Sequence, residues 1–214
     1  MDSGSDSVRR RERRPLCRAP PGTLSYVPHT VMPRVVLAGP PGSGKSTVAA
    51  ALGAATGWQV RDTDADVEAT AGKPISEIFL DDGEPAFRAL ERDAVARAVA
   101  EHDGVLALGG GAVLAPETQD VLAAYAAAGG TVVFLDVSLA QAAPRVGFNV
   151  SRPLLLGNPR AQWQQLMTAR RPVYEKVATL RVDTDELTPD GVAAQILVAL
   201  GAAPETAPTV EDPK

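Results

Sequence analysis

The sequence predicts an α/β fold in three layers, a mostly parallel sheet covered by helices on both faces. Three observations carry this. Short apolar runs alternate with helical periodicity from Arg34 to Leu200. The first apolar run leads through a glycine-rich loop directly into a helical stretch. The chain's 214 residues, 45% hydrophobic and 22% charged, suffice for one domain with its own core and not for two large ones.

Taken in order, residues 1–31 come first. They carry Arg9-Arg10-Arg11-Glu12-Arg13-Arg14, Pro15, Pro20-Pro21 and Pro28 without hydrophobic periodicity, so a disordered extension is expected. Asp2, Asp6 and Glu12 spoil a transit sequence, no apolar stretch follows the arginines, and Met32, immediately before the first strand, reads as the native start. Strand-like runs are Arg34 to Ala38, Trp58 to Arg61, Val105 to Leu108, Thr131 to Leu135 and Thr179 to Val182. Helix-like stretches include Glu84 to Glu101 and Pro116 to Ala127. The folded domain is therefore expected over residues 32–200, with a polar, frayed tail over 201–214. Such folds place ligands at the carboxyl ends of their strands.

Composition excludes several classes. Residues 32–201 carry 14 basic against 20 acidic side chains, which argues against a nucleic-acid partner, since phosphate neutralisation needs a basic face. No run of about 20 apolar residues exists to span a membrane. One cysteine, Cys17, makes no internal disulfide, and a chain of this size without disulfides is expected in the cytoplasm.

After the first strand comes Gly39-Pro40-Pro41-Gly42-Ser43-Gly44-Lys45-Ser46-Thr47, a full G-x-x-x-x-G-K-[ST] phosphate loop, followed by a helical run that stops at Gly57. Its glycines let backbone N–H groups converge on phosphate oxygens, and the helix N-terminus adds partial positive charge. Lys45 would reach the β and γ phosphates, and the Ser46 hydroxyl would ligate Mg²⁺. A nucleoside triphosphate as co-substrate, with one magnesium ion as cofactor, is thus expected. No N/T-K-x-D guanine-reading sequence occurs, which disfavours a GTPase; the small acidic core disfavours a helicase-type motor. A small-molecule kinase or a bare nucleotide-binding module remains.

Acceptor-side candidates follow. Asp62-Thr63-Asp64 places two carboxylates on one side if the backbone is extended, one for the metal and one to orient or deprotonate a hydroxyl; taken alone it reads as a helix-capping turn, but its place one strand from the phosphate loop favours the site. Arg88 lies four residues after Glu84 and three before Glu91, so it is either a site cation or a surface salt-bridging residue. Gly109-Gly110-Gly111 ends a strand where ligands bind, allowing a ligand to touch the backbone. Arg145, Arg152, Arg170 and Arg171 flank an aperiodic stretch, Arg145 to Asn158, which reads as a lid whose arginines aim at phosphates.

Together with Gly72-Lys73-Pro74-Ile75-Ser76-Glu77-Ile78-Phe79, Phe87-Arg88, Arg152-Pro153-Leu154-Leu155 and Arg170-Arg171-Pro172-Val173-Tyr174, these elements resemble the shikimate kinase family over essentially Met32 to Leu200. The resemblance implies a five-stranded parallel sheet, a substrate-binding helical region and a closing lid. It implies transfer of the γ-phosphoryl of ATP to the 3-hydroxyl of shikimate, in aromatic amino-acid biosynthesis; a monomer is expected. It assigns Lys45, Asp64 and Arg152 to catalysis. Asp64, Arg88, Gly109, Gly110, Gly111 and Arg170 would bind shikimate, with Arg88 and Arg170 on its carboxylate. Gly42, Ser43, Gly44, Lys45, Ser46 and Thr47, with Arg145, Arg152 and Pro189, would bind ATP, Arg145 and Pro189 sandwiching the adenine; Ser46 and Asp62 would hold magnesium. Family lids often read Arg-x-Gly-Gly-Asn, whereas here Pro144 precedes Arg145-Val146-Gly147-Phe148-Asn149, which implies a stiffer lid. The loop around Ala126 to Gly130 looks a few residues longer than usual. A gluconate-type kinase would share the phosphate loop without needing the triple glycine beside Phe87-Arg88, and a non-catalytic module would not need Asp64, Arg88 and Arg170 together.

Overall fold

The structure, a computed structural model, describes residues 31–145 and 159–202. The extension before residue 31, lid residues 146–158 with Arg152, and the tail from 203 lie outside the described residues.

Five strands form one sheet: β1 (Val35–Ala38), β2 (Gln59–Asp62), β3 (Gly104–Ala107), β4 (Val132–Asp136) and β5 (Leu180–Asp183). Their order is β2-β3-β1-β4-β5 and every pairing is parallel. Each lies within one residue of its expected run, because a strand covered on both faces is a short continuous apolar stretch bounded by turns. Helices α1 (Lys45–Thr56), α2 (Thr63–Ala71), α3 (Ile75–Asp81), α4 (Gly83–Glu101), α5 (Pro116–Ala127), α6 (Leu139–Arg145), α7 (Pro159–Val177) and α8 (Pro189–Leu200) complete the domain. Arg145 thus closes a helix instead of opening the lid loop, and Pro144 is accommodated in the last turn of α6. The turn from Ala126 to Gly130 is closed by amides of Gly129 and Gly130 donating to the carbonyls of Ala126 and Tyr125, both at 3.0 Å.

The two faces follow from period-two alternation. Val35, Leu37, Val133 and Leu135 pack on Val48 and Leu52 of α1 and Ile196 of α8. Val36, Phe134 and Leu106 face Val95 of α4, Leu122 of α5 and Tyr174 of α7. Each such Leu, Val or Phe contributes about 1.5 to 3 kcal/mol on full burial. A third cluster, Val67, Ile78, Phe87 and Ala94, joins α2 and α3 to α4 and forms a helical region beside the sheet. β1 is central, with β3 on one side and β4 on the other, so the loop after it leaves from the crevice where strand order reverses.

Candidate active site

The loop between β1 and α1 wraps the N-terminus of α1. Gly44 has φ 88°, a left-handed value that lets the chain turn into the helix, and no side chain caps the first-turn amides. Those amides and the helix dipole face the cleft as an anion cradle. The ammonium of Lys45 donates to the carbonyls of Gly39 at 2.9 Å and Pro40 at 3.2 Å. Its burial pulls it down to about 8, against the opposing pull of Asp64 and then Asp62. Ser43 is buried with its hydroxyl unpaired among the described residues.

Asp62 and Asp64 do not share an extended segment. Asp62 is the N-cap of α2, its Oδ1 accepting from the Asp64 amide at 2.9 Å, while Thr63 and Asp64 already belong to the helix. Capping is the physical reason for the difference: a carboxylate at this position satisfies a free amide of the first turn. The other oxygen, Oδ2, accepts from the Ser46 hydroxyl at 3.1 Å, which puts a hydroxyl and a carboxylate together at the start of α1. Asp64 turns into the cleft. Burial pushes its carboxyl up to about 6, Asp62 adds to this, Lys45 opposes it, and Glu91 and Glu68 add smaller pushes. Thr63, fully buried, accepts from the Gly109 amide at 2.9 Å and ties the start of α2 to the loop after β3.

The cleft has a volume of about 400 Å³ and is lined from the phosphate loop by Pro41, Gly42, Lys45 and Ser46. Asp64, Arg88, Glu91, Gly110, Gly111, Arg145 and Arg170 line it with Ile75 and Phe87. Ser43, Gly44, Thr47, Asp62 and Gly109 lie outside that lining, and so does Pro189, exposed in the first turn of α8. Both readings of Arg88 hold together: its guanidinium donates to Glu91 at 2.7 Å and to Glu84 at 3.0 Å, yet it faces the cleft. Glu91 is only 2% exposed, a buried carboxylate that the salt-bridge spacing had marked only as a helix neighbour.

Gly109, Gly110 and Gly111 also leave room for the protein's own groups. A side chain on Gly109 would run into Asp64 Oδ1 and Glu91 Oε1, one on Gly110 would press Pro41, and one on Gly111 would meet the Arg88 guanidinium. None of the three has a positive φ, so their smallness, not their flexibility, is what the site uses. They make room for the protein's own charged groups as much as for a ligand.

From α7, Arg170 donates to the Gly110 carbonyl at 3.5 Å, and Trp163 Nε1 donates to Pro41 of the phosphate loop at 3.3 Å. Arg145 reaches the Gly42 carbonyl at 3.5 Å. Arg171 is not aimed at phosphates. Its fork grips the carboxylate of Asp136, at 2.7 Å to each oxygen, and Arg181 joins at 2.6 Å. Burial pushes the Asp136 carboxyl up, but hydrogen bonds and charge from Arg171, then Arg181, hold it below the usual range. Adjacent helical residues point about 100° apart, so one arginine meets the cleft and the next meets β4. Thr63 and Tyr174 stand in the sequence only as members of the runs Asp62-Thr63-Asp64 and Arg170-Arg171-Pro172-Val173-Tyr174, and Glu91 only as a neighbour of Arg88, without roles of their own; Trp163 leaves no signal there.

The arrangement sets a phosphate cradle with a lysine against a carboxylate that burial pushes up to about 6, with the guanidinium groups of Arg88, Arg145 and Arg170 lining the same cleft. Among the described residues no cluster of three or more His, Cys, Asp or Glu could hold a metal by itself, and no helix is long and apolar enough to cross a membrane.

A family model described as shikimate kinase matches residues 41–201. The shikimate kinase of Salinispora arenicola is 56% identical over 170 residues, 79% of this chain and 99% of its own. That of Thermobifida fusca is 52% identical over 171 residues, 80% and 96%. Among solved structures, the shikimate kinase from Acinetobacter baumannii in complex with shikimate matches with a TM-score of 0.72 at 30% identity, covering 80% of this chain and 94% of that one.

Proposed function

This chain belongs to the shikimate kinase family and is an ATP-dependent kinase of shikimate; from that premise we propose how its cleft divides the work of phosphoryl transfer. Lys45 and the first-turn amides of α1 hold the β and γ phosphates. Asp64, ionised at neutral pH with its carboxyl near 6, orients the 3-hydroxyl and takes its proton. As the new oxygen–phosphorus bond forms, the bond from the γ phosphorus to its bridging oxygen breaks and ADP leaves. Arg88 and Arg170 clamp the acceptor carboxylate, for which planar guanidinium forks are suited. Arg152, outside the described residues, meets the charge developing on the phosphoryl group, and Arg145 with Pro189 holds the adenine.

Ser46 and Asp62 fit a magnesium ion that arrives with ATP. They are hard oxygen donors 3.1 Å apart at the phosphate cradle, and phosphate and water would supply the ion's other ligands. Such an ion supplies neutralisation of phosphate charge; the positioning is the work of the chain. The acidic domain speaks against a nucleic-acid partner and the single cysteine fits the cytoplasm; the working unit is taken as a monomer with its catalytic domain over residues 32–200.

The observation that carries this division is the packing of Asp64, Glu91 and Arg88 against Gly109 and Gly111, one loop away from Lys45. The test is ADP release with shikimate, gluconate, nucleoside monophosphates or no acceptor. Shikimate alone should support rapid release, and an equal rate with gluconate would refute the acceptor assignment.

A further inference from the structure

We propose that Tyr174 is a positioning residue for the carboxylate-binding side of the cleft, acting through the carbonyl of Gly110. The inference rests on the functional reading above.

Tyr174 is fully buried, its ring stacked on Phe134 of β4 with centroids 5.2 Å apart and 11° between planes. Its hydroxyl donates to the Gly110 carbonyl, the same oxygen that accepts from Arg170 Nη1, and it lies within hydrogen-bonding reach of the Arg170 guanidinium. A carbonyl has two lone pairs, so both donors can be served at once. Residues 170 and 174 are four apart on α7 and share a face. Burial pushes the Tyr174 hydroxyl up to about 12, so it stays a donor at any working pH.

What makes the contact consequential is how the cleft arginines are held. Arg88 is fixed by Glu84 and Glu91, and Arg171 by Asp136. Arg170 has no carboxylate partner among the described residues. Its fork is left for an anionic ligand, and the groups that set its direction are the Gly110 carbonyl and the Tyr174 hydroxyl. Arg171 anchors the same helix on its other side without touching the cleft, and therefore serves as a comparison.

The experiment measures shikimate and ADP binding by calorimetry on the full chain, for the parent, Tyr174→Phe, Arg171→Ala, Arg170→Ala and the Tyr174→Phe, Arg170→Ala pair. Tyr174→Phe keeps the ring stack and removes one donor. It should weaken shikimate binding about tenfold, the loss of one buried hydrogen bond, and leave ADP binding unchanged within about twofold. Arg171→Ala should lower the melting temperature and leave shikimate binding unchanged. In the Arg170→Ala background, Tyr174→Phe should cost less than about twofold, because the group it positions is gone. Equal losses of shikimate and ADP, a shikimate loss in Arg171→Ala matching that of Tyr174→Phe, full additivity, or a Tyr174→Phe chain that does not fold would each overturn the inference. A parent that binds ADP but no shikimate would overturn the functional reading instead.

Discussion

Replacing Asp64 by Asn should stabilise the fold while removing turnover, and the stabilisation should depend on pH. The Asp64 carboxyl is raised from 3.8 to about 6, chiefly by burial. One unit corresponds to about 1.4 kcal/mol, so two units make the ionised form cost the folded chain roughly 3 kcal/mol. The cleft opens to solvent, and screening brings this to about 2 kcal/mol. The folded pKa lies above the unfolded one, so the folded state binds the extra proton between about pH 4 and 6. The cost is absent below about pH 4, develops through that window and is complete above it. Asparagine is of similar size and carries no charge at any pH. Asp64→Asn should therefore melt about 4 to 8 °C higher than the parent near pH 8, and at nearly the same temperature near pH 4. Its kcat should fall by roughly 10² to 10⁴ through loss of the base. Thermal unfolding followed by circular dichroism across this pH range reads the effect. A constant difference at all pH values, or a lower melting temperature near pH 8, would refute the account of Asp64 as a carboxylate held in an unfavourable place.

Gly109→Ala should fold with little loss of stability, since the atoms it meets first are side-chain oxygens of Asp64 and Glu91, yet lose about 10² in kcat by displacing them; retained activity with unmoved carboxylates in a crystal structure would contradict this. Asp62→Asn should raise the magnesium concentration needed for half-maximal activity several-fold, with the cap kept by the amide oxygen, and an unchanged magnesium titration would remove Asp62 from the metal. Arg88→Lys should raise the shikimate KM by about tenfold or more and leave the ATP KM unchanged, because a point charge cannot replace a fork already engaged by Glu91; steady-state kinetics with each substrate varied decides it.

The sheet was legible because both its faces are covered: Val35 to Ala38 and Val132 to Leu135 are continuous apolar runs that need no distant information to be read. The phosphate loop was legible because its chemistry is local, with every donor within nine residues of sequence. Roles set by packing were not. Arg170 and Arg171 are neighbours of identical type, and only the turn of α7 sends one to Gly110 and the other to Asp136. α7 itself is masked by Pro172, which the helix accommodates in its interior. Tyr174 and Trp163 look like core residues, and are, while their single polar atoms reach loops 64 and 122 residues away in sequence. That the triple glycine also makes room for Asp64, Glu91 and Arg88 was not legible, because no sequence rule says which side chains will crowd a given Cα.

The strand order has a consequence for synthesis. β1 leaves the ribosome well before its neighbours in the sheet, β3 and β4; its pairing begins with Val35 beside Val105. At roughly 5 to 20 residues per second, several seconds pass before that partner exists. During this time an all-apolar strand and its glycine loop have no edge to join, and the loop-closure entropy for joining them is not yet recovered. Fragments ending before β3 should therefore show no nucleotide binding despite holding the entire phosphate loop. The nascent chain should engage holding chaperones until residues of β3 and β4 emerge.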